Sequence, residues 1–457
     1  MKIAIVGGGV GGLATAAKLA AKHTVDVYEK EDMLGGRALS TGIDANYRKL
    51  LAKFEMANAF SFPDIEEIKG EYKIDLGFHL IGGGKRGACV KALNEIDADI
   101  NFIGSRLGYI GEKIRYPMLS AFDKAKMLPR IIQLMTSSHE KIEAMKRMSM
   151  EEAIKKYGRG KLGFVLRIFP RLITTVNDLS KISAGETFFA QRELMGGHPV
   201  IYPAGGLESI SKAFAKYIQE NNGNIYLNHE VKNVDIEDGT VIGIDGKEYD
   251  AVVLNMPVQH IFRIAKEKHF DTAWVKKIKE LKGTGSMVSY HAVNQIDNRL
   301  IGKSFVFLEK DDTFEGGELA GMIDFKMAHP AAGLAPPGKY IIQSYIICSP
   351  EEARNRGRWG RLREIIDKNL KKLLPDYEKN MEWSIYNVIW HLDGVAKTID
   401  NEKPPVTTPV EGLYLAGDSV NSKGIGINCA VDSANIVTGE IEKLQRARGD
   451  SNPRPSG

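Results

Sequence analysis

The chain has 457 residues, of which 43% are hydrophobic and 26% charged, and a net charge of +4. That balance is ordinary for a folded globular protein, the charge is too small to argue for nucleic acid, and the length predicts two large domains or up to four smaller ones. Cys89, Cys348 and Cys429 are too far apart in sequence for a disulfide framework or a metal-ligand spacing, and no run of eighteen apolar residues predicts a membrane-spanning helix, so a reducing, cytoplasmic setting is expected.

The first predicted element is "IAIV" at residues 3–6, an all-apolar strand. Its apolar run breaks into glycines by residue 7, too early for the core of a secretion signal. Gly7, Gly9 and Gly12 form G-x-G-x-x-G, and a helical pattern follows through Leu13, Ala16, Ala17 and residues 19–21. A second strand, "TVDVYE", ends at Glu29. Gly7 permits a tight turn, Gly9 leaves room for a pyrophosphate, and Gly12 lets the helix approach the strand. The helix N-terminus offers N–H groups and partial positive charge to phosphates. Glu29 is placed to accept from a ribose 2′-OH. A dinucleotide-binding unit is therefore expected. Soon afterwards Gly35 and Gly36 let the backbone lie against a flat ligand, and Arg37 can help neutralise a pyrophosphate.

Further along, "IDLGFHL" carries Asp75 and His79, both able to move a proton. A second G-x-G-x-x-G at Gly82, Gly84 and Gly87 has no strong strand before it and no acid at the end of the following strand. It predicts a plain glycine loop, or an anion site with Lys85 and Arg86. Residues 120–158 read as helices. Met127, Met135, Met145, Met148 and Met150 suit either core packing or an adaptable greasy channel. Lys124, Lys126, Arg130, Lys141, Lys146 and Arg147 suit either a solvated face or an anionic membrane surface. His198 lies in "GGHPVIYP". Strands are predicted within 222–244, in "EYDAVVLNMP", over 317–348 and in "SIYNVIWHL", which contains His391. Near the end, "GLYLAGDSVNSKGIGINCAVDSAN" repeats the opening grammar of strand, glycine loop and helix start.

Taken in order, "GGR" at Gly35, Gly36 and Arg37, "P-x-G-G" at Pro203, Gly205 and Gly206, and "GD" at Gly417 and Asp418 resemble the flavin-containing amine oxidase and phytoene desaturase superfamily. The closest likeness is to its carotenoid desaturase, isomerase and saturase branch. The resemblance covers most of the chain. It implies an α/β fold in which a discontinuous Rossmann-like FAD-binding domain (residues 1–110, 200–260 and 395–445) carries a mixed α/β substrate domain (111–199 and 261–394), with 446–457 a loose tail. It also implies that the N-terminal motif holds the ADP end of FAD and that Val231 makes a backbone contact beside the adenine. Asp418 would meet the ribityl–pyrophosphate region. Gly426 and Ile427 would begin a helix beneath the flavin ring, where its dipole stabilises negative charge. The chain departs from the family in residues 38–74, where "ANYRKLLAKFEMANAF" reads as an inserted helix that could serve as a lid, a membrane foot or a partner dock.

The function this implies is FAD-dependent oxidation, reduction or isomerisation of carbon–carbon bonds in a long apolar isoprenoid, with hydride passing to or from flavin N5. The expected partners are an apolar small molecule, a membrane surface touched peripherally, and a quinone, oxygen or ferredoxin-type electron carrier. An amine or protoporphyrinogen oxidase of the same superfamily is the alternative. A non-catalytic prenyl-binding escort is the alternative of another class. Asp75, His79, His198 and His391 are candidate acids or bases, and none has a catalytic assignment from sequence.

Overall fold

The computed structural model describes residues 1–78, 80–194 and 200–450. Five strands form a parallel sheet in the order Asn224–Tyr226, Thr24–Tyr28, Lys2–Val6, Ala251–Leu254, Leu413–Leu415. A parallel sheet covered on both faces needs continuous apolar strands. Ile3, Ala4 and Ile5 are fully buried, as are all four residues of Ala251–Leu254. Helix Val10–Ala20 packs against helices Glu208–Glu220 and Ile427–Asp450. Its buried face is built largely from small residues, Gly11, Gly12, Ala14, Ala16, Ala17 and Ala20, which lets its neighbours come close. Because the strands run parallel, their carboxyl ends share one sheet edge. Gly7, Glu29, Asn255 and Gly417 all follow those ends.

A second sheet has eight strands in the order Met56–Phe62, Met381–Ile389, Gly285–Val293, Tyr340–Cys348, Glu318–Asp324, Ser304–Lys310, Leu107–Ile110, Ile114–Arg115. Every residue of Gly285–Val293 is buried. One face of the sheet packs on helix Arg356–Leu373 through Phe305, Phe307, Ile346 and Ile366. The opposite face, with Val288, Tyr290, Ala292 and Tyr345, joins the apolar cluster of the parallel sheet. The fold is thus α/β with a Rossmann-like parallel sheet.

The helical stretch resolves into Ala121–Thr136, His139–Glu143, Met150–Tyr157, Gly160–Thr174 and Ala184–Leu194. Met145, Met148 and Met150 pack with Ile142, Leu166, Ile182 and Phe188. These methionines pack into a helical core.

Three sequence expectations change. Helix Tyr47–Lys53 is shorter than the expected inserted helix, because Glu55 takes a left-handed φ of 58° and ends it. Residues Met56–Phe62 then run as a strand paired with Met381–Ile389, and Leu107–Ile110 pairs with Ser304–Lys310. Both strands lie within residues 1–110 and pair into the eight-stranded sheet. Finally, the last helix continues to Asp450 past the expected tail boundary, with Arg448 donating to the Asp250 carbonyl.

Candidate functional site

A cleft of about 320 Å³ opens at the carboxyl edge of the parallel sheet. It is lined from the first motif by Gly7, Gly9 and Glu29, and from the next turn by Gly35, Gly36 and Arg37. Val231 closes one side, and Gly417, Asp418, Gly426 and Ile427 arrive from the far end of the chain. Of the cofactor residues named from sequence, only Gly12 lies outside this lining. A Cβ on Gly12 would sit 2.2 Å from the Gly7 carbonyl oxygen, so its bareness serves helix–strand packing.

The cradle is made of backbone. Gly7 has φ 108°, and a Cβ there would meet the Asn255 carbonyl oxygen at 2.2 Å. The Gly35 N–H donates to the Gly8 carbonyl at 2.9 Å, which stitches the second glycine turn onto the first. Helix Val10–Ala20 begins at this cradle with no side-chain cap, leaving its N-terminus for a ligand's phosphates. The Glu29 carboxylate accepts from the N–H groups of Gly8 at 2.7 Å and Glu31 at 2.9 Å. Burial raises its pKa despite those bonds.

Arg37 joins the two distant motifs. Its Nη2 donates to Asp418 Oδ1 at 2.6 Å, and its Nη1 donates to the carbonyls of His391 at 2.7 Å and Leu392 at 2.9 Å. Asp418 Oδ2 accepts from the Gly394 N–H at 3.1 Å, and Lys403 donates to the Asp418 carbonyl. Burial alone would raise the Asp418 carboxyl, but Arg37 and Lys403 beside it hold it below its ordinary value. The glycine cradle, the uncapped helix, Glu29 in the cleft lining and the Arg37–Asp418 pair together fit a dinucleotide held by different parts of the chain.

Several lining residues escaped sequence reasoning. Asn255 follows an all-apolar strand, and its Nδ2 donates to the Gly7 carbonyl at 3.2 Å. A polar residue between such a strand and Pro257 was the available signal. Glu55, His260 and Arg263 also line the cleft, with His391. Glu55 binds His391 Nε2 at 3.0 Å and His260 Nε2 at 3.4 Å, and Arg263 stands 3.9 Å away. The hydrogen bond with His391 outweighs burial and holds the Glu55 carboxyl down to about 2. Burial lowers the His260 pKa.

The second G-x-G-x-x-G is closed from within. Asn428 Nδ2 donates to the Gly82 carbonyl at 2.7 Å, and its Oδ1 accepts from the Cys89 N–H at 2.9 Å. The last helix therefore caps the helix beginning at Ala88. A Cβ on Gly87 would meet Asn428 Oδ1 at 2.8 Å.

Among the candidate acids and bases, His391 lines the cleft. His79 and His198 lie outside the described residues. Asp75 is fully buried away from the cleft lining, accepting from the hydroxyls of Ser40 and Tyr202 at 2.6 Å each. Burial pushes its carboxyl up to about 6, with the two hydroxyls pulling the other way. Since the folded value lies above the ordinary 3.8, this group's stabilising contribution is complete below about pH 4 and is lost as pH rises through about 6. The loss amounts to ~3 kcal/mol. Asp75→Asn is expected to abolish that slope. In urea unfolding, the stability of the native chain minus that of the variant should fall between about pH 4 and 6 and level off above that, and a difference that stays flat would refute the assignment.

Comparison with known proteins follows this geometry. The model of the flavin-containing amine oxidoreductase family matches residues 10–441. A 15-cis-phytoene desaturase from Capsicum annuum is 24% identical over 93% of this chain and 74% of its own length. A protein of unassigned function from Methanocaldococcus jannaschii is 25% identical, but that match covers 56% of this chain and 58% of the relative. An oxidoreductase from Methanosarcina mazei, solved by crystallography, superposes with a TM-score of 0.73 at 20% identity, covering 96% of this chain and all of that one.

Proposed function

The chain belongs to the flavin-containing amine oxidoreductase family and takes FAD as its cofactor; from that premise we propose an enzyme that desaturates, saturates or isomerises carbon–carbon bonds of a long apolar isoprenoid of the carotenoid kind. The observation that carries this reading is the likeness to a phytoene desaturase over nearly the whole chain. When bound, FAD supplies hydride acceptance or donation at its N5. The chain's own residues grip and orient it through the glycine cradle, Glu29 and the Arg37–Asp418 pair. Residues 1–110, 200–260 and 395–445, less the two strands lent to the larger sheet, form the cofactor half in this reading. The eight-stranded sheet and the helices of 121–194 receive the substrate. Val288, Ala292, Val306 and Met322 give that sheet an apolar face toward the cofactor half.

An apolar substrate is drawn from a membrane. No helix among the described residues is long and apolar enough to cross one. Helix Ala121–Thr136 instead exposes Phe122 (67%), Leu128 (51%) and Ile132 (52%) beside Lys124, Lys126 and Arg130, a face suited to resting on anionic lipid. Electrons would pass to a quinone, oxygen or a ferredoxin-type carrier. The Arg37–Asp418 pair, with the rest of the cofactor cradle, speaks against a flavin-free prenyl escort.

One experiment addresses substrate and surface together. Purified holoenzyme is mixed anaerobically with anionic vesicles carrying carotenoid precursors or their saturated counterparts. Co-sedimentation with the vesicles and a change in flavin absorbance are expected. An unchanged flavin spectrum with every isoprenoid would remove the substrate reading. Hydrogen peroxide release on amines or a porphyrinogen would replace it with an oxidase.

A further inference from the structure

Residues 53–55 lie at the end of helix Tyr47–Lys53 and line the cofactor cleft as Lys53, Phe54 and Glu55. The strip is hooked at both ends. Lys53 pairs with Glu31, two residues beyond the ribose-facing Glu29. Glu55 reaches across to His391 and His260, which come from two other parts of the chain. Glu55 does so from a left-handed backbone, φ 58°, that a non-glycine residue adopts at a cost. His391 is the pivot of that contact. Its ring is held by Glu55 while its carbonyl accepts from Arg37 at 2.7 Å. Loop 391–394 is thereby fixed to the Arg37–Asp418 pair on one side and to residues 53–55 on the other. The Lys53 side chain is 52% exposed, so its pairing adds little holding strength. The Glu55 contacts are half-buried and charge-assisted, which makes them the stronger hook.

We propose that Glu55 is a positioning residue for the cofactor: it clasps residues 53–55 across the cleft and steadies loop 391–394, so that FAD leaves slowly. This rests on the FAD reading above. The clasp acts through His391 and places no demand on the chemistry of the substrate.

The test measures FAD release from holoenzyme on dilution, read by the rise of free-flavin fluorescence. Glu55→Gln keeps the side chain's size but removes its charge, and is expected to release FAD about tenfold faster, the scale of one charge-assisted hydrogen bond. Glu55→Gly suits the left-handed backbone and removes both histidine contacts. It should release FAD faster still while the apo-protein melts no lower. Arg48→Ala breaks the exposed pairs with Asp64 and Glu66 in the same segment and serves as the control. It should leave the release rate unchanged. Equal release from the native chain and both Glu55 variants would overturn the clasp, as would equal acceleration by Arg48→Ala. A native chain that takes up no FAD would instead overturn the cofactor reading beneath it.

Discussion

Arg37→Ala is expected to yield a protein that elutes colourless from gel filtration and takes up added FAD at least a hundredfold more weakly. The guanidinium donates to Asp418 and to the carbonyls of His391 and Leu392. Its side chain is 21% exposed and that of Asp418 13%. Removing one partner of a buried pair costs about 3–5 kcal/mol, because the other charge stays behind uncompensated. Here the abandoned carboxylate would also face a ligand that carries negative phosphates. A hundredfold loss corresponds to ~3 kcal/mol, the lower end of that range. Arg37→Lys keeps the charge but not the fork that spans a carboxylate and two carbonyls, so it should fall between alanine and the native chain. Acid should mimic the change. Asp418 is held below its ordinary value, so its contribution is present near neutrality and is lost as pH falls through that lowered value. Stoichiometric flavin in purified Arg37→Ala would show that the pair does not hold the cofactor.

Gly7→Ala is expected to damage the fold as well as the cleft. The backbone there has φ 108°, and the new Cβ would lie 2.2 Å from the Asn255 carbonyl oxygen. Neither side can retreat cheaply. The Gly7 N–H is bound to the Tyr28 carbonyl at 2.8 Å, and the Asn255 N–H to the Val6 carbonyl at 2.8 Å. The conformational penalty is about 1–2 kcal/mol and overpacking adds about 1–3. A loss of about 2–5 kcal/mol in urea unfolding is expected, with little soluble holoprotein. Gly239→Ala separates the two causes. Gly239 also has a positive φ, 76°, but nothing lies within 4 Å of its would-be Cβ. It should show only the smaller backbone penalty and retain its flavin.

The nucleotide cradle was legible in the sequence because its signals are local. Strand, glycines, helix and acid follow one another within residues 3–29, and each answers to a backbone or hydrogen-bonding need of its own segment. Gly417 and Asp418 were legible only through their resemblance to the superfamily's "GD" pair. The role of residues 53–62 was not. "MANAFSF" becomes a strand only because Met381–Ile389 offers its edge, more than three hundred residues away. Glu55 gave no sign of its partners, since His260 and His391 lie on other elements.

The sequence by itself determined that a strand–glycine–helix turn near each end of the chain would form, and that residues 3–6 and 251–254 would be buried. Those outcomes depend on φ freedom, apolar burial and neighbours a few residues apart. Only the tertiary structure decided that Arg37 would close on Asp418, that Glu55 would reach His391, and that Asn428 would cap the second glycine loop. Each of those contacts pairs groups hundreds of residues apart in the chain, and no local propensity records which distant carboxylate, carbonyl or ring will be brought within 3 Å.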